Sequence, residues 1–295
     1  MVIFFMVNKF HDWSKTPFIN YRNLYFWTVM EAKLISSLQN PLVKRTLLLK
    51  EKARERKKTG RFVVEGRREM ELAQKGGYVL EVVFFCTEVL ADTNIDAFLG
   101  NPQTELVQLT QQVYEKLAYR ETTEGILAIA KSKSHALDGI QFKSKSPLIL
   151  VAEAPEKPGN VGALLRTADA AALDAVLIAN PKSDLYNPNI IRSSVGCVFT
   201  NTIGMGTTEE IIDFLKTNNI TIHCAALSAS KNYVECDFKP ATAIVVGTEA
   251  TGLTKDWLQN SDQNVIIPMQ GEIDSMNVSV SAAILIFEAK RQRGF

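Results

Sequence analysis

The sequence predicts a two-part α/β protein, with a parallel sheet covered on both faces in its C-terminal half and a smaller α/β/α unit ahead of it. Three observations carry this. Five short, nearly all-apolar runs follow residue 147: LILVAEA (148–154), AVLIAN (175–180), TIHCAAL (221–227), AIVVGTE (243–249) and NVIIPM (264–269). Helical stretches lie between most of them, and apolar strands alternating with helices are the pattern of a parallel sheet buried on both sides. A second β-α-β alternation fills residues 61–132, and the polar segment 133–146, rich in Lys and Ser, reads as a linker between the two.

Taken in order, residues 1–30 are unlike the rest. Nine of the 25 aromatic residues lie in the first 29. The run Val2 to Val7 is too short for the apolar core of a signal peptide and lacks a basic flank. We expect a poorly ordered extension here, with Met30 a candidate for the true start. Residues 34–58 read as a helix broken at Asn40-Pro41. RFVVEG (61–66) is a short strand, 67–77 a helix stopped by a glycine pair, and 80–88 a buried strand. A strand at 105–110, a helix around 111–119 and a strand within 124–133 complete the unit, which gives domains at 31–132 and 147–295.

With 46% hydrophobic and 22% charged residues in 295, the chain is globular, not disordered or fibrous. The net charge of +1 hides an asymmetry: Pro41 to Arg68 holds eleven Lys/Arg against three Glu. Lys57, Lys58, Arg61, Arg67 and Arg68 surround a strand start and a helix start, and are candidates for RNA phosphate contacts. Four dispersed cysteines form no CxxC, and the histidines show no zinc spacing, so no metal site is expected and a reduced, cytoplasmic chain is. His223 reads as a buried strand residue. No segment is long enough for a membrane helix.

The familiar nucleotide loops GxxxxGK(S/T) and GxGxxG are absent, and Gly204-Met205-Gly206 lacks the third glycine. Three loops at strand ends stand out instead, where open parallel sheets bind ligands. In APEKPGNVGALLRTADAAA (154–172), Asn160 reads as a helix cap and Arg166 lies on an alanine-rich helix. In VVGTEATGL (245–253), Glu249 sits between Gly247 and Gly252, whose backbones admit close approach or positive φ. In the third (266–293), Pro268 and Gly271 precede Ser275-Met276-Asn277, which open an apolar helix with a basic last turn.

In order and spacing these stretches resemble the three signature motifs of the SpoU (TrmH) family of RNA ribose 2′-O-methyltransferases, of the SPOUT class. PGNVGALLRTADA matches the first, VVGTEATGL the second and IPMQGEIDSMNVSVSAAILIFEA the third, and DLYNPNIIRSSVGCVF (184–199) is also similar. Residues 31–132 resemble the family's substrate-binding domain, a fold shared with RNA-binding ribosomal proteins. Met276 stands where Leu is usual, and Ala172 where Gly is common.

The resemblance implies a trefoil knot in the C-terminal domain, a homodimer and S-adenosylmethionine (AdoMet) as cofactor. It implies an AdoMet site lined by Leu227, Gly247, Ile267 and Met276, and a polar active-site set of Asn160, Arg166, Glu249, Ser275 and Asn277. Helices at 163–172 and 280–293 are the candidate dimer contacts. The expected reaction is methyl transfer to a ribose 2′-hydroxyl, in ribosomal more than transfer RNA. A non-catalytic RNA-binding or ribosome-assembly protein is the alternative, and methylation of a base a third reading.

Overall fold

The computed structural model describes residues 32–90, 95–98, 101–119, 124–228, 230–248, 251–272 and 275–295. The expected extension 1–30 and Glu249 lie outside the described residues. Leu34–Phe295 is one compact unit built on two sheets.

The first sheet holds β1 (Lys33–Ile35), β2 (Arg61–Glu65), β3 (Leu80–Phe85), β4 (Glu105–Leu109) and β5 (Ile126–Lys131) in the order β1-β4-β3-β5-β2. It is mixed: β3 runs parallel to β4 and antiparallel to β5. The helices are α1 (Pro41–Glu51), α2 (Ala53–Thr59), α3 (Arg67–Lys75) and α4 (Gln111–Leu117). The expected helix from residue 34 is corrected. Residues 33–35 are strand, and Asn40-Pro41 opens a helix instead of breaking one. The Asn40 side chain accepts from Leu42 N at 2.9 Å, and Pro41 occupies the first helical position, where its missing N–H costs nothing.

The second sheet holds β6 (Leu148–Glu153), β7 (Ala175–Ala179), β8 (Ile203–Gly206), β9 (Thr221–Ala225), β10 (Lys231–Asn232), β11 (Thr242–Val246) and β12 (Gln263–Ile266). Their order is β10-β12-β9-β11-β6-β7-β8, and every pairing is parallel. Helices α5 (Pro158–Ala170), α6 (Pro188–Ser193), α7 (Thr208–Thr217), α8 (Lys255–Gln259) and α9 (Val278–Arg293) complete it. All five apolar runs are strands. β8 and β10 have no counterpart among them: the IGMG of β8 is half glycine, and β10 is only two polar residues long. Helix α5 closes in a Schellman turn: Leu173 N bonds Ala168 O and Ala172 N bonds Asp169 O, both at 3.0 Å. Ala172 takes φ +47° there, a left-handed conformation that suits glycine.

The two sheets share a core. Phe62 of β2 stacks on Tyr186 at 4.2 Å between ring centroids, with Phe199 at 5.8 Å from the same Phe62 ring. The Tyr186 hydroxyl lies 2.8 Å from His135 Nε2 and 3.2 Å from the Tyr78 hydroxyl, and accepts from Lys133 N at 3.0 Å. A Cβ at Gly76 would fall 2.0 Å from Phe199 O, so only glycine permits this approach. Arg56, 5% exposed, pairs with Asp184 and donates to Leu49 O and Lys50 O at 2.7 and 3.0 Å. Within residues 133–146, Leu137, Ile140 and Phe142 pack against the apolar cluster that α7 forms with β6, β7, β9 and β11, and Met205 N donates to His135 O at 2.7 Å.

Candidate active site

Strands β12, β9, β11 and β6 lie side by side and parallel, so their C-terminal ends open on one edge. The chain leaving each strand builds the site. After β11, Gly247 leads into a turn closed by Thr248 N to Gly252 O at 3.0 Å and Gly252 N to Thr248 O at 3.1 Å. A Cβ on Gly247 would lie 2.3 Å from Gly252 C, so the close approach that requires glycine here is made by the chain itself. Gly252 takes φ +66°. After β6, the chain turns at Ala154, φ +40°, and enters α5 at Pro158.

One cavity of about 540 Å³ opens at this edge, lined among others by Leu227, Gly247, Ile267, Ser275 and Met276. All four residues expected at the cofactor are therefore brought together, with Ser275 beside them. The volume falls within the range of small-molecule sites, roughly 300–1,000 Å³. A neighbouring cavity of about 300 Å³ is lined by Asn160, Glu153 and Pro155, and shares Gly247, Thr248 and Val278 with the first.

Asn160 is not the helix cap that its sequence suggests. Lys157 holds the cap position, and Asn160 lies in the first turn of α5. Its Oδ1 accepts from Asn277 Nδ2 at 3.2 Å. Asn277 does cap α9: its Oδ1 accepts from Ser279 N at 2.9 Å and from Ser279 Oγ at 2.6 Å. One side chain thus starts the last helix and reaches the first motif. Arg166 is exposed and lines neither cavity. It lies roughly 9 Å along α5 from Asn160 and about 120° around it.

Of the candidate phosphate contacts, Lys57, Lys58 and Arg68 are exposed. Arg61 is committed to Glu81, at 2.5 and 2.9 Å, and to Thr59 O at 2.8 Å. The Arg67 guanidinium lies 5.3 Å from the centre of the Phe98 ring. Glu69 and Leu165, the chain neighbours of Arg68 and Arg166, both contact the turn at 196–201. Asn201 Nδ2 donates to Leu165 O at 3.0 Å on one side, and a Cβ at Gly196 would lie 3.3 Å from Glu69 Cα on the other. Burial and then the Asp169 carboxylate push the Cys197 thiol in this turn up to about 11, and both guanidiniums oppose that shift.

Residues 147–287 match the family model of the SpoU rRNA Methylase family, and residues 40–128 that of an MRM3-like substrate binding domain. A crystal structure described as an RNA 2′-O ribose methyltransferase aligns over 89% of this chain and 100% of its own, with 38% identity and a TM-score of 0.77. The chain belongs to the SpoU family. Among curated SpoU relatives, the 23S rRNA (guanosine-2′-O-)-methyltransferase RlmB of Vibrio vulnificus is 32% identical over 64% of this chain and 78% of its own length. The 23S rRNA (guanosine(2553)-2′-O)-methyltransferase RlmP of Bacillus subtilis is 28% identical over 88% of this chain and 99% of its own.

Three features of this SpoU chain carry no signal in its sequence beyond their position. Arg56 sits within the basic run but is buried and structural. Arg293 in the basic last turn of α9 donates to Phe238 O at 2.7 Å and Ser146 O at 2.6 Å, and also to Pro240 O, so it ties the C-terminus to two loops. Glu153, 2% exposed, ends β6 beneath the site, and only its place at a strand end marks it. Among the described residues no cluster of three His, Cys, Asp or Glu could hold a metal ion, and no helix is long and apolar enough to cross a membrane.

Proposed function

We propose that this protein transfers a methyl group from AdoMet to a ribose 2′-hydroxyl of ribosomal RNA. One observation carries the reading: Leu227, Gly247, Ile267 and Met276 converge with Ser275 on one cavity, next to the Asn160–Asn277 pair. The fit is chemical as well as geometric. The strand ends offer backbone N–H and C=O groups, and the apolar side chains suit the uncharged parts of such a ligand. AdoMet supplies an activated sulfonium methyl when bound.

The chain's own residues then align the acceptor oxygen, and the proton it sheds passes to solvent. Ser275 and Asn277 hydrogen-bond the ribose, and the Asn160 amide holds Asn277 in place. Glu249, by resemblance, completes the polar set. Arg166 grips a phosphate beside the target nucleotide and stabilises the developing alkoxide with its planar fork. Arg166 lines neither cavity of its own protomer, which supports a dimer in which it serves the partner's site. Val280 and Phe287, 49% and 41% exposed on α9, form an apolar stripe suited to that contact.

Residues 31–132 act as the substrate-binding domain, linked by 133–146 to a knotted domain at 147–295. The described cysteines are buried free thiols, which suits the reducing cytoplasm.

The test is methyl transfer from labelled AdoMet to ribosomal RNA, followed by nuclease digestion. A label in nuclease-resistant dinucleotides supports ribose methylation, and a label in single nucleotides moves the reaction to a base. No transfer leaves an RNA-binding protein. Arg166→Ala and Arg166→Lys should each lose about 100-fold in rate, roughly 2.7 kcal/mol, with AdoMet affinity little changed. Near-normal turnover in Arg166→Ala would discard its assignment.

A further inference from the structure

Glu153 carries a carboxylate that the proposed chemistry does not use. It is 2% exposed, and three hydrogen bonds from three separate stretches of chain end on it. Trp257 Nε1–H donates to Oε2 at 2.6 Å, the Thr208 hydroxyl donates to the same oxygen at 2.8 Å, and Asn180 Nδ2 donates to Oε1 at 3.3 Å. Asn180 Nδ2 also donates to Thr208 Oγ1 at 2.8 Å, which closes a ring. All three donors are neutral. Buried polar oxygens need such donors in place of water, so this side chain is held by geometry.

What it holds is the candidate site. Trp257 is wholly buried in the middle of α8, a helix of five residues whose cap position, Thr254, makes no side-chain bond. So short a helix has little stability of its own, and tertiary anchors fix it. Leu258, next to Trp257, and Leu253, just before the helix, both line the larger cavity. On its other side, Glu153 is the last residue of β6 and lines the smaller cavity with Asn160. The turn toward Asn160 begins at the very next residue, Ala154, in a left-handed conformation.

We infer that Glu153 is a positioning residue, whose carboxylate fixes the Leu253–Leu258 wall of the cofactor cleft against the loop that delivers Asn160. This rests on the reading of the larger cavity as the AdoMet site. The wall and the loop belong to different motifs, with Glu153 and Trp257 104 residues apart. β6 spends its backbone bonds on β11 and β7, so side chains make the link from α8.

Three full-length variants test this, each with its AdoMet dissociation constant, its single-turnover rate at saturating AdoMet and its melting temperature without ligand. Trp257→Phe keeps an aromatic ring and removes the N–H, and should weaken AdoMet by about five- to ten-fold while leaving the saturated rate within about two-fold. Glu153→Leu removes all three acceptor contacts, and should lose about ten-fold or more in both affinity and rate. Glu153→Gln keeps an oxygen for Trp257, and should stay within about three-fold of wild type in affinity. Unchanged AdoMet affinity in Trp257→Phe overturns the inference, whether or not Glu153→Leu folds. A Glu153→Gln protein as impaired as Glu153→Leu also overturns it, since charge and not position would then be at stake. A wild-type protein that binds no AdoMet removes the cofactor reading and this inference together, whereas wild-type binding with unaltered variants removes this inference alone.

Discussion

Asn277 Nδ2 donates to Asn160 Oδ1 across 3.2 Å, joining the start of α9 to the first turn of α5, 117 residues away. The same Asn277 side chain caps α9 with its oxygen. Structure and chemistry therefore meet on one amide, with the acceptor end building a helix and the donor end facing the first motif.

Those two duties separate by substitution. Asn277→Asp keeps the capping oxygen and loses the donor, so its melting temperature should stay near wild type while methyl transfer falls by about ten-fold or more. Asn277→Ala loses both, and should also cost about 1 kcal/mol of stability. Parallel melting curves and single-turnover rates check this; an Asp variant with wild-type turnover would confine Asn277 to capping.

Ala172 sits at φ +47° in the Schellman turn that ends α5. Ala172→Gly should stabilise the fold by about 1 kcal/mol, because the left-handed conformation costs a Cβ-bearing residue roughly that much. The gain is set against glycine's larger entropy when unfolded, so it stays below about 2 kcal/mol. Urea denaturation measures it, and a destabilised glycine variant would contradict the account.

Lys57, Lys58 and Arg68 are exposed, whereas Arg61 is bonded to Glu81. Changing the three exposed cations to Glu should weaken RNA binding and flatten its salt dependence, by about 0.7–0.9 in slope for each phosphate no longer neutralised. Arg61→Ala should lower the melting temperature more than the RNA affinity. Binding isotherms at several salt concentrations decide this, and an unaltered slope in the triple variant would move the RNA elsewhere.

Burial holds the imidazoles of His135 and His223 below their usual 6.5, with Lys133 adding to the shift at His135. Each takes up a proton less readily when folded than when unfolded. The stability they contribute is complete above pH 6.5 and is lost as pH falls from there through the folded values. Each such proton adds about 1.4 kcal/mol per pH unit to the slope in that window. Burial opposes the downward shift at Glu81, and the Arg61 bonds overcome it; Glu288 is lowered first by its Arg291 bond. Both carboxylates lose their contribution only below 4.5. Denaturation at about pH 7.5, 6.5 and 5.5 should show the histidine decline, and His135→Gln should make it shallower. Stability that rises on acidification would exclude this assignment.

Much of this is legible in the amino-acid order. The buried strands announce themselves because a two-sided sheet needs apolar residues at every position, as in AVLIA and TAIVV. The strand-end loops stand out because Gly, Asn and Ser there serve backbone geometry. What stays hidden depends on contacts between distant residues. Nothing local distinguishes Arg56, buried against Asp184, from its exposed neighbours Lys57 and Lys58. Nothing near Glu153 announces Trp257. Asn40-Pro41 reads two ways because proline signals a break inside a helix and a start at its first turn, and the sequence alone does not say which applies.

The segment joining the two sheets does more than connect them. β8 is the outermost strand of its sheet, and an outermost strand presents bare amides and carbonyls to any passing chain. Here Met205 N–H is taken by His135 O, and Ile203 O lies 3.2 Å from His135 Nδ1. Gly204 between them leaves room for Ile140, whose Cδ1 would fall 2.6 Å from any added Cβ. The tether between the two halves thus occupies a margin that would otherwise be open as a template for β-aggregation.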